Sequence, residues 1–345
     1  MIKNIIRRQI SNTFNNNKRK LILGLETSAD DTCASIVSSN REILSNVVLK
    51  QNKIHEQYGG IHPLYAVQGH MMNLPIAISK SMEDAKVKIE DLDAIATTQG
   101  PGMIGCLQVG IMGAKSISSI LRKPLIGIHH MQAHALTCLL TEINPPAFPF
   151  FTLLCSGGHT MIVDVEDVNK MSILASTLDD SIGNAFDQIA KSLNIPWSLH
   201  PSNSPGGALE NFADQFHNDI NHDEDFNNFK KILKVPLPGQ LQFSYSGLRS
   251  AFQRLLNEVD KNDKKKLRSL SRAFQYIAVK QLEDKLSLAF RNNSRSRRSS
   301  LIVSGGVASN TYLRNQLKTL TDKYNMDVYF PHPSLCTGKY FFKKI

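Results

Sequence analysis

The sequence predicts an α/β fold built from two similar lobes, and three observations support this. The chain has 345 residues, 41% of them hydrophobic, which is long for one core and suits two lobes of about 150 residues each. An order of three strands, helix, strand, helix and strand can be read twice along the chain. Each reading opens with a strand, a tight polar turn and a second strand, which indicates a β-hairpin at the start of each lobe.

The first half supplies its elements in the expected order. Residues 20–37, KLILGLETSADDTCASIV, predict strand, turn and strand, and REILSNVVL predicts a third strand. A helix is expected over about 65–86. LDAIATTQGPG then predicts a buried strand that ends in a Gly-Pro-Gly turn, followed by a helix near 104–121 and the strand PLIGIHH.

The second half repeats this order. FPFFTLLCSGGHTMIVDV predicts strand, turn and strand, KMSILASTLDD a third strand, and IGNAFDQIAKSL a helix. An irregular region containing PSNSPGG and LPGQLQFSYSG follows. The last elements are a long amphipathic helix near 267–290, the strand SLIVSGGVA, a helix near 309–323 and the strand DVYFP.

Two such halves around one nucleotide cleft predict the actin-like ATPase (ASKHA) fold, with duplicated RNase H-like lobes. A doubly wound dinucleotide-binding fold is less favoured because it begins β-α-β rather than with a hairpin. The expected division is a leader over residues 1–20, an N-terminal lobe over 21–145 and a C-terminal lobe over 146–345.

Two Gly-Gly turns are candidates for nucleotide binding. In CSGGH, Gly157 and Gly158 would let backbone amides approach an anion closely. In VSGGVASN, Gly305 and Gly306 follow a buried strand and precede a helix, where the helix dipole favours phosphate. Either turn alone is more often a plain tight turn. We expect the two to occupy equivalent places in the duplicated halves, which makes a nucleotide the better interpretation.

Acidic residues and a pair of histidines are further candidates. Glu26, Asp30 and Asp31 lie at the first hairpin turn, although most Asp pairs are explained by capping and surface turns. His130 and His134 are four residues apart, so on a helix they share one face and both could reach one metal ion. Two cleft histidines without a metal are the alternative. A zinc peptidase would need Glu after the first histidine, and Met131 stands there.

Charge and composition limit the cellular context. Net charge is +10, and residues 1–20 contain six Lys or Arg and no acid, with isoleucines at helical spacing. This pattern is typical of a mitochondrial presequence, with a solvated basic tail as the alternative. The five scattered cysteines argue against a disulfide framework. No apolar run approaches the length of a membrane span of ~20 residues, so no membrane partner is expected.

Two basic segments later in the chain could contact tRNA phosphates. They are DKKKLR at 263–268 and RNNSRSRRSS at 291–300, which includes Arg295, Arg297 and Arg298. Solvated charge in surface loops is nearly as good an explanation.

The motifs together resemble one known family. ETSADDT, GGIHP, GPGMIG, GIHHMQAHAL, FPFFTLLCSGGHT, FDQIAKSL, FSYSGL and VSGGVASN are similar, in order and spacing, to those of the tRNA threonylcarbamoyladenosine transferases, formerly described as O-sialoglycoprotein endopeptidases. The resemblance covers about residues 21–337, and with the leader it is greatest to the mitochondrial branch. It implies an acyltransferase that moves the threonylcarbamoyl group of threonylcarbamoyl-AMP to N6 of the adenosine 3′ of the anticodon in ANN-decoding tRNAs.

The resemblance also implies roles for individual residues and partners. His130 and His134 fall on the family's ligands to one divalent metal ion per subunit, for which iron or zinc is expected and magnesium is possible. The adenylate-binding residues fall on Leu154, Cys155, Ser156, Gly157 and Gly158, with further substrate contacts at Asp187, Gly207 and Asn310. It implies a homodimer in the mitochondrial matrix and a separate synthase that makes the adenylate. Catalytic roles for Asp30, Asp31 and Glu26 are our own inference from chemistry, with Asp30 accepting the amine proton.

The sequence departs from the family pattern at several points. Ala29 stands where Cys is usual, Leu64 and Gln68 where many relatives have Glu and Arg, and Asn184 and Gln188 where an acid and Lys are usual. At the C-terminal end relatives continue CTDN, whose Asp is the third metal ligand, into further helices. This chain has LCTGKYFFKKI, with Gly338 at the Asp position. We therefore expect a second lobe that lacks its last helices, weak metal binding and doubtful activity.

Three other functions remain open at this point. A catalytically inactive scaffold that binds adenylate or tRNA is favoured by the lost Asp. A metallopeptidase is favoured only by the histidine pair and the older family name. A sugar kinase or chaperone-like ATPase would share the fold.

Overall fold

The computed structural model describes residues 19–58, 60–200, 204–214, 223–292 and 298–331. It divides into two compact units, with the boundary between Leu140 and Thr141, close to the predicted boundary after residue 145. The predicted leader falls almost entirely outside the described residues, as do Arg295, Arg297 and the C-terminal segment with Gly338.

The sheet of the first unit has the order β3-β2-β1-β4-β5. Its strands are β1 (Leu21–Glu26), β2 (Thr32–Ser38), β3 (Ile43–Leu49), β4 (Ala94–Gly100) and β5 (Leu125–His129). The first three strands are antiparallel neighbours, whereas β4 pairs parallel to β1 and β5 parallel to β4. The predicted hairpin and the five predicted strands of this half are confirmed.

Among the described residues, α1 (Asn52–Gln57) and α2 (Pro63–Ala85) lie between β3 and β4, α3 (Ile104–Leu121) lies between β4 and β5, and α4 (His130–Thr141) follows β5. The core between sheet and helices is formed by apolar side chains such as Leu23, Ile36, Leu74 and Ile95, all nearly inaccessible to solvent. The predicted helices at 65–86 and 104–121 are confirmed. The short α1 was not predicted, because six residues are too few to show a helical period.

Helices α2 and α3 leave large apolar side chains exposed, including Met72, Ile76, Ile104, Met112 and Ile120. Only 22% of α3 is buried, and its length and composition alone would also suit a membrane span. That is weak evidence for a membrane, because helices of water-soluble proteins meet the same criteria. It nevertheless qualifies the sequence-based statement that no apolar run approaches that length.

The sheet of the second unit repeats the order of the first, as β8-β7-β6-β9-β10. Its strands are β6 (Phe150–Cys155), β7 (Thr160–Asp167), β8 (Lys170–Ser176), β9 (Ser300–Ser304) and β10 (Asp327–Tyr329). Again three antiparallel strands are followed by two parallel ones. The predicted duplication is therefore confirmed strand by strand.

Within the described residues, the helices of the second unit are α5 (Ile182–Ser192), α6 (Pro205–Asp214), α7 (Glu224–Ile232), α8 (Ser246–Glu258), α9 (Lys264–Asn292) and α10 (Thr311–Lys323). Phe274 of α9 packs edge-on against Phe186 and Phe252 in the core, with ring centroids 5.6 and 5.5 Å apart. The interpretation of the region before α9 as irregular is wrong, because it contains α6, α7 and α8. These helices are hard to predict because their sequences are rich in turn-forming residues. One available signal is Asp223, an ordinary N-cap that accepts a hydrogen bond from the Phe226 amide.

Candidate functional site

The turn after β1 carries a buried carboxylate. Glu26 is 3% exposed, and it accepts hydrogen bonds from the Ser28 amide and the Thr98 hydroxyl. Burial would raise the pKa of Glu26, but His130, Ser28 and Thr98 together hold the pKa below its ordinary value. Glu26 is therefore an ionised, immobilised group, which suits the orientation of a neighbouring side chain better than proton transfer.

Both predicted metal-ligand histidines lie on the first turn and a half of α4, directly after β5. The His130 Nδ1 atom lies 3.2 Å from Ser28 Oγ and 3.6 Å from Glu26 Oε2. The rings of His130 and His134 are perpendicular, with centroids 4.9 Å apart. The prediction that the two share one helix face is confirmed, and Glu26 and Ser28 join them.

Close backbone packing fixes this group. A Cβ atom on Gly102 would lie 2.7 Å from the Ser28 carbonyl oxygen, and the Met103 amide donates to that same oxygen at 2.9 Å. In α3, Gly110 leaves room for Thr27, whose hydroxyl donates to the Cys106 carbonyl at 2.8 Å. The Gly-Pro-Gly turn and α3 thus determine where Thr27 and Ser28 lie.

Sequence reasoning overlooked the buried histidine that holds the turn bearing Asp30 and Asp31. His70 is fully buried, with Nε2 3.0 Å from the Ala29 carbonyl oxygen and Nδ1 2.7 Å from the Thr32 hydroxyl. Burial lowers the pKa of His70, an effect partly offset by that carbonyl and by the charges of Asp30 and Glu26. His70 is therefore neutral, and it links α2 to both sides of the turn. Asp30 and Asp31 themselves are partly exposed.

In the second unit, residues 155–158 form a tight turn with open space beside its glycines. The Ser156 amide donates to the His159 carbonyl at 2.8 Å, and the His159 amide donates to Ser156 Oγ at 3.0 Å. A Cβ atom added to Gly157 or Gly158 would meet nothing within 4 Å. Leu154 and Cys155 are buried, so this turn presents backbone groups and the Ser156 side chain.

Two other segments pack against the back of this turn. A Cβ atom on Gly183 would lie 2.4 Å from the Ser156 carbonyl oxygen, and one on Gly305 would lie 2.3 Å from the Cys155 carbonyl oxygen. The Ser181 hydroxyl also donates to the Gly157 carbonyl at 2.6 Å. These contacts assemble the start of α5 and the end of β9 around the turn, and they fix its backbone with the two glycines uncovered.

The two Gly-Gly turns both belong to the second unit, so the expectation of equivalent places in the two halves is wrong. The first-unit counterpart of the 155–158 turn is the turn after β1, which carries Asp30 and Asp31. Equivalent turns are defined by their position after the first strand of each sheet, and glycine content does not reveal that position.

Among the predicted substrate contacts, Asp187 is hydrogen-bonded to the residue that precedes Gly207. Asp187 Oδ1 accepts a hydrogen bond from the Gly206 amide at 2.9 Å, and the Gly207 amide donates to Ser204 Oγ at 3.4 Å. The start of α6 is thereby tied to α5, and the substrate-binding role of these residues stays a prediction.

Asn310 has a structural role in this fold. It is 6% exposed and caps α10, accepting from the Leu313 amide at 2.8 Å while its own amide donates to Gln275 at 3.3 Å. The Glu210 carboxylate accepts from the Thr311 amide at 2.6 Å, and burial raises the pKa of Glu210. A short 3₁₀ turn, Gly306–Ser309, separates β9 from α10. The side chains of Asn310 and Glu210 already accept hydrogen bonds from the first amides of α10, so a phosphate at this helix end would compete with them.

Several charged residues are also structural. Asp179 accepts hydrogen bonds from Ser244, Tyr245 and Ser246, which keep its pKa below the ordinary value although burial acts in the opposite direction. Arg298 makes a two-pronged pair with Asp164, at 2.9 Å for the Nε–Oδ1 bond, and both side chains are at most 8% exposed. The interpretation of Arg298 as a tRNA contact is therefore wrong, because its guanidinium is already paired inside the second unit.

Among the described residues, which stop at 331, no three His, Cys, Asp or Glu side chains form a group that could hold a metal ion. His130 and His134 fit two positions around a divalent ion, with the Glu26 carboxylate beside His130 in the manner of an outer-shell partner. The donor set within the described residues is thus compatible with a metal and incomplete for one.

Comparisons with known proteins agree with this arrangement. Residues 42–341 match the family described as tRNA N6-adenosine threonylcarbamoyltransferase. Relatives with that name include one from Rickettsia canadensis, 37% identical over 326 residues, and one from Dictyoglomus turgidum, 38% identical over 318 residues. Each alignment covers 92% of this chain and 89% of the relative.

Solved structures with a similar fold include full-length HypF in its phosphate- and nucleotide-bound form and HypF from T. kodakarensis. The first has a TM-score of 0.57 at 12% identity and covers 92% of this chain and 44% of HypF. The second has a TM-score of 0.55 at 12% identity and covers 94% of this chain and 46% of HypF. At such identity the likeness shows the fold alone, and that fold is the predicted actin-like ATPase type. The extent and identity of the curated matches show that this chain belongs to the tRNA N6-adenosine threonylcarbamoyltransferase family, whose members are acyltransferases that modify tRNA.

Proposed function

We propose that this protein transfers the threonylcarbamoyl group from threonylcarbamoyl-AMP to N6 of the adenosine 3′ of the anticodon in ANN-decoding mitochondrial tRNAs. The observation that carries the proposal is the turn at Cys155–Gly158. Its glycines border open space while Ser181, Gly183 and Gly305 hold its backbone in place. A rigid backbone with uncovered glycines is suited to close approach of an adenylate phosphate.

The chemistry requires an activated acyl donor. The N6 amine of adenine is a poor nucleophile because its lone pair is delocalised into the ring. Threonylcarbamoyl-AMP is such a donor, because its carbamoyl carbon is joined to the phosphate of AMP as a mixed anhydride. The N6 nitrogen attacks this carbonyl carbon, a new C–N bond forms, the C–O bond to phosphate breaks and AMP leaves. The displaced amine proton needs an acceptor, and Asp30 is our candidate, with an expected contribution of about 10²–10⁴ in rate.

We also propose one divalent metal ion per subunit, with iron or zinc favoured. His130 and His134 would be its ligands in this part of the chain, and a bound ion would supply positive charge that polarises a carbonyl or anchors a phosphate. Glu26 and Ser28 hold the Nδ1 side of the His130 ring, which supports ligation through Nε2. Metal content measured after overnight dialysis should fall in His130→Ala and in Glu26→Gln. Full metal content in both variants would remove these residues from the site.

Two protein partners belong to this proposal. One is a second copy of this chain, supported by the large apolar side chains that α2 and α3 leave exposed. Light scattering should give twice the mass of one chain, and Met72→Glu should lower it. The other partner is a separate synthase that makes the adenylate, since the proposed reaction consumes threonylcarbamoyl-AMP.

Location in the mitochondrial matrix completes the proposal, and its support is the basic, acid-free N-terminal segment. Residues 1–30 fused to a fluorescent protein should direct it to mitochondria. Diffuse cytosolic fluorescence would contradict this part.

The experiment that tests the whole proposal is nucleoside analysis in cells without the gene. Threonylcarbamoyladenosine should disappear from mitochondrial ANN-decoding tRNAs and persist in cytosolic tRNAs. Its persistence in both pools would contradict the proposed function and favour an inactive binding protein.

A further inference from the structure

A compact group of aromatic rings lies on the first unit, between α1 and α2. Tyr58, His62 and Tyr65, here called the aromatic cluster, have ring centroids 4.8–5.1 Å apart. The rings of Tyr58 and Tyr65 are stacked, with an interplanar angle of 26°. Tyr58 is 47% exposed, so the stack of rings ends at the protein surface.

The aromatic cluster is held in place by polar contacts. The Tyr58 amide donates to the His55 carbonyl at 3.1 Å, at the C-terminal end of α1. The His62 amide donates to Nδ1 of the buried His55 ring at 3.3 Å. The Tyr58 ring also stacks on the Tyr65 ring, with centroids 5.1 Å apart. The rings therefore have little freedom to lose when something binds against them.

Core packing does not account for a ring that stacks on its neighbours and is still 47% exposed. In a hydrophobic core Tyr58 would be buried, whereas here its ring contacts the His62 and Tyr65 rings and part of it is exposed. Fixed, partly exposed tyrosine rings are a common means of binding unpaired nucleobases, because every base has a π-face that can stack. The target adenosine of this family's substrate lies beside the anticodon, where tRNA bases are unpaired.

We propose that the aromatic cluster is a stacking platform for an unpaired base of the tRNA substrate, with that base continuing the stack on Tyr58. The inference rests on the proposed function, in which tRNA is the substrate. It places a tRNA contact on aromatic surface of the first unit, in addition to any made by the basic segments of the second.

The test compares Tyr58→Leu with Tyr58→Trp in the full chain. Leucine keeps apolar volume but has no π-face, so affinity for an ANN-decoding tRNA should fall about 5- to 150-fold. Tryptophan should keep or raise the affinity. Ile143→Ala, which removes an apolar side chain that is 96% exposed on the other unit, is the control and should leave affinity unchanged. Light scattering on each variant reports whether its mass has changed.

A second readout locates the contact. An anticodon stem-loop with 2-aminopurine in the loop should show fluorescence quenching with the unaltered chain and less with Tyr58→Leu, whereas a duplex probe should not respond to the substitution. If the unaltered chain binds tRNA and Tyr58→Leu binds it equally well, the stacking inference is wrong and the proposed function stands. A change of mass with unaltered tRNA affinity would assign the aromatic cluster to a protein interface and overturn the inference. If the unaltered chain does not bind tRNA, the proposed function fails and the inference fails with it.

Discussion

Buried polar side chains in this protein differ in whether they have partners. Glu26 and the Arg298–Asp164 pair are well satisfied, and each fixes a turn or a strand end. The hydroxyl of Tyr245 is different, because it is buried beside Cys155 and has no hydrogen-bond partner among the described residues. These two situations predict opposite effects of removing a polar group.

Tyr245→Phe should stabilise the protein. An unsatisfied buried hydroxyl costs about 1–3 kcal/mol of desolvation, and phenylalanine keeps the ring without that group. We expect a rise of about 1 kcal/mol in the free energy of unfolding, measured by urea denaturation. A clear loss of stability would show that the hydroxyl is hydrogen-bonded in solution.

Arg298→Met should destabilise the protein strongly and leave tRNA affinity unchanged. The substitution leaves the buried Asp164 carboxylate without its charged partner, which costs about 3–5 kcal/mol of folding stability. The control is Lys265→Ala, since Lys265 is an exposed residue at the start of α9; its stability should change by less than about 0.5 kcal/mol. If Arg298→Met weakened tRNA binding at full stability, our assignment of Arg298 to the Asp164 pair would be incorrect.

At the scale of elements, the turns after the first strand of each sheet are built differently. In the first unit, His70 of α2 clamps the turn with two hydrogen bonds. In the second unit, glycines of α5 and of the segment after β9 allow backbone to pack on backbone. The sequence could predict that both turns exist, but it could not show these clamps, because His70 and Gly183 act on residues distant in the chain.

Substitutions of glycines in and around the second-unit turn should affect adenylate binding and folding stability separately. Gly157→Ala places its Cβ in open space, so stability should hold while affinity for threonylcarbamoyl-AMP falls. Gly183→Ala drives its Cβ against the Ser156 carbonyl and should cost about 1–3 kcal/mol of stability. Gly247→Ala, whose Cβ meets nothing within 4 Å in α8, is the control for both. Equal adenylate affinity in Gly157→Ala and Gly247→Ala would argue against the turn as the binding site.

The hydrogen bonds of His70 should make the stability of the first unit depend on pH. Its folded-state pKa lies below the ordinary 6.5, so on acidification the unfolded chain takes up a proton before the folded one does. The stability contribution is complete above about pH 6.5 and is lost as pH falls toward the folded pKa. His70→Gln preserves a donor and an acceptor without titrating, and it should lose less stability than the unaltered chain between about pH 7 and pH 5. Identical losses in the two proteins would show that His70 does not contribute.

At the scale of the whole molecule, duplication is what the sequence predicts best. Hydrophobic alternation and hairpin turns repeat in order, and both sheets follow, because strand pairing obeys local patterns. Helices α6, α7 and α8 were missed because their sequences are rich in turn-forming residues and they are stabilised by packing against α9 and α5. The histidine pair was predicted from spacing alone, whereas its contacts with Glu26 and Ser28 depend on strand β1 meeting helix α4 through the sheet.

The central claim, that this chain transfers a threonylcarbamoyl group to tRNA, is tested most directly by the reaction itself. The purified chain would be mixed with threonylcarbamoyl-AMP and an ANN-decoding tRNA transcript, and the digested tRNA would be analysed by mass spectrometry for threonylcarbamoyladenosine. We predict that the modified nucleoside forms, more slowly than with the Rickettsia canadensis relative because Gly338 stands at the expected third metal-ligand position. It should not form on a transcript whose target adenosine is replaced by guanosine, and Gly157→Ala should slow its formation while Gly247→Ala should not. Absence of the nucleoside with the unaltered chain, under conditions in which the Rickettsia canadensis relative produces it, would contradict the claim.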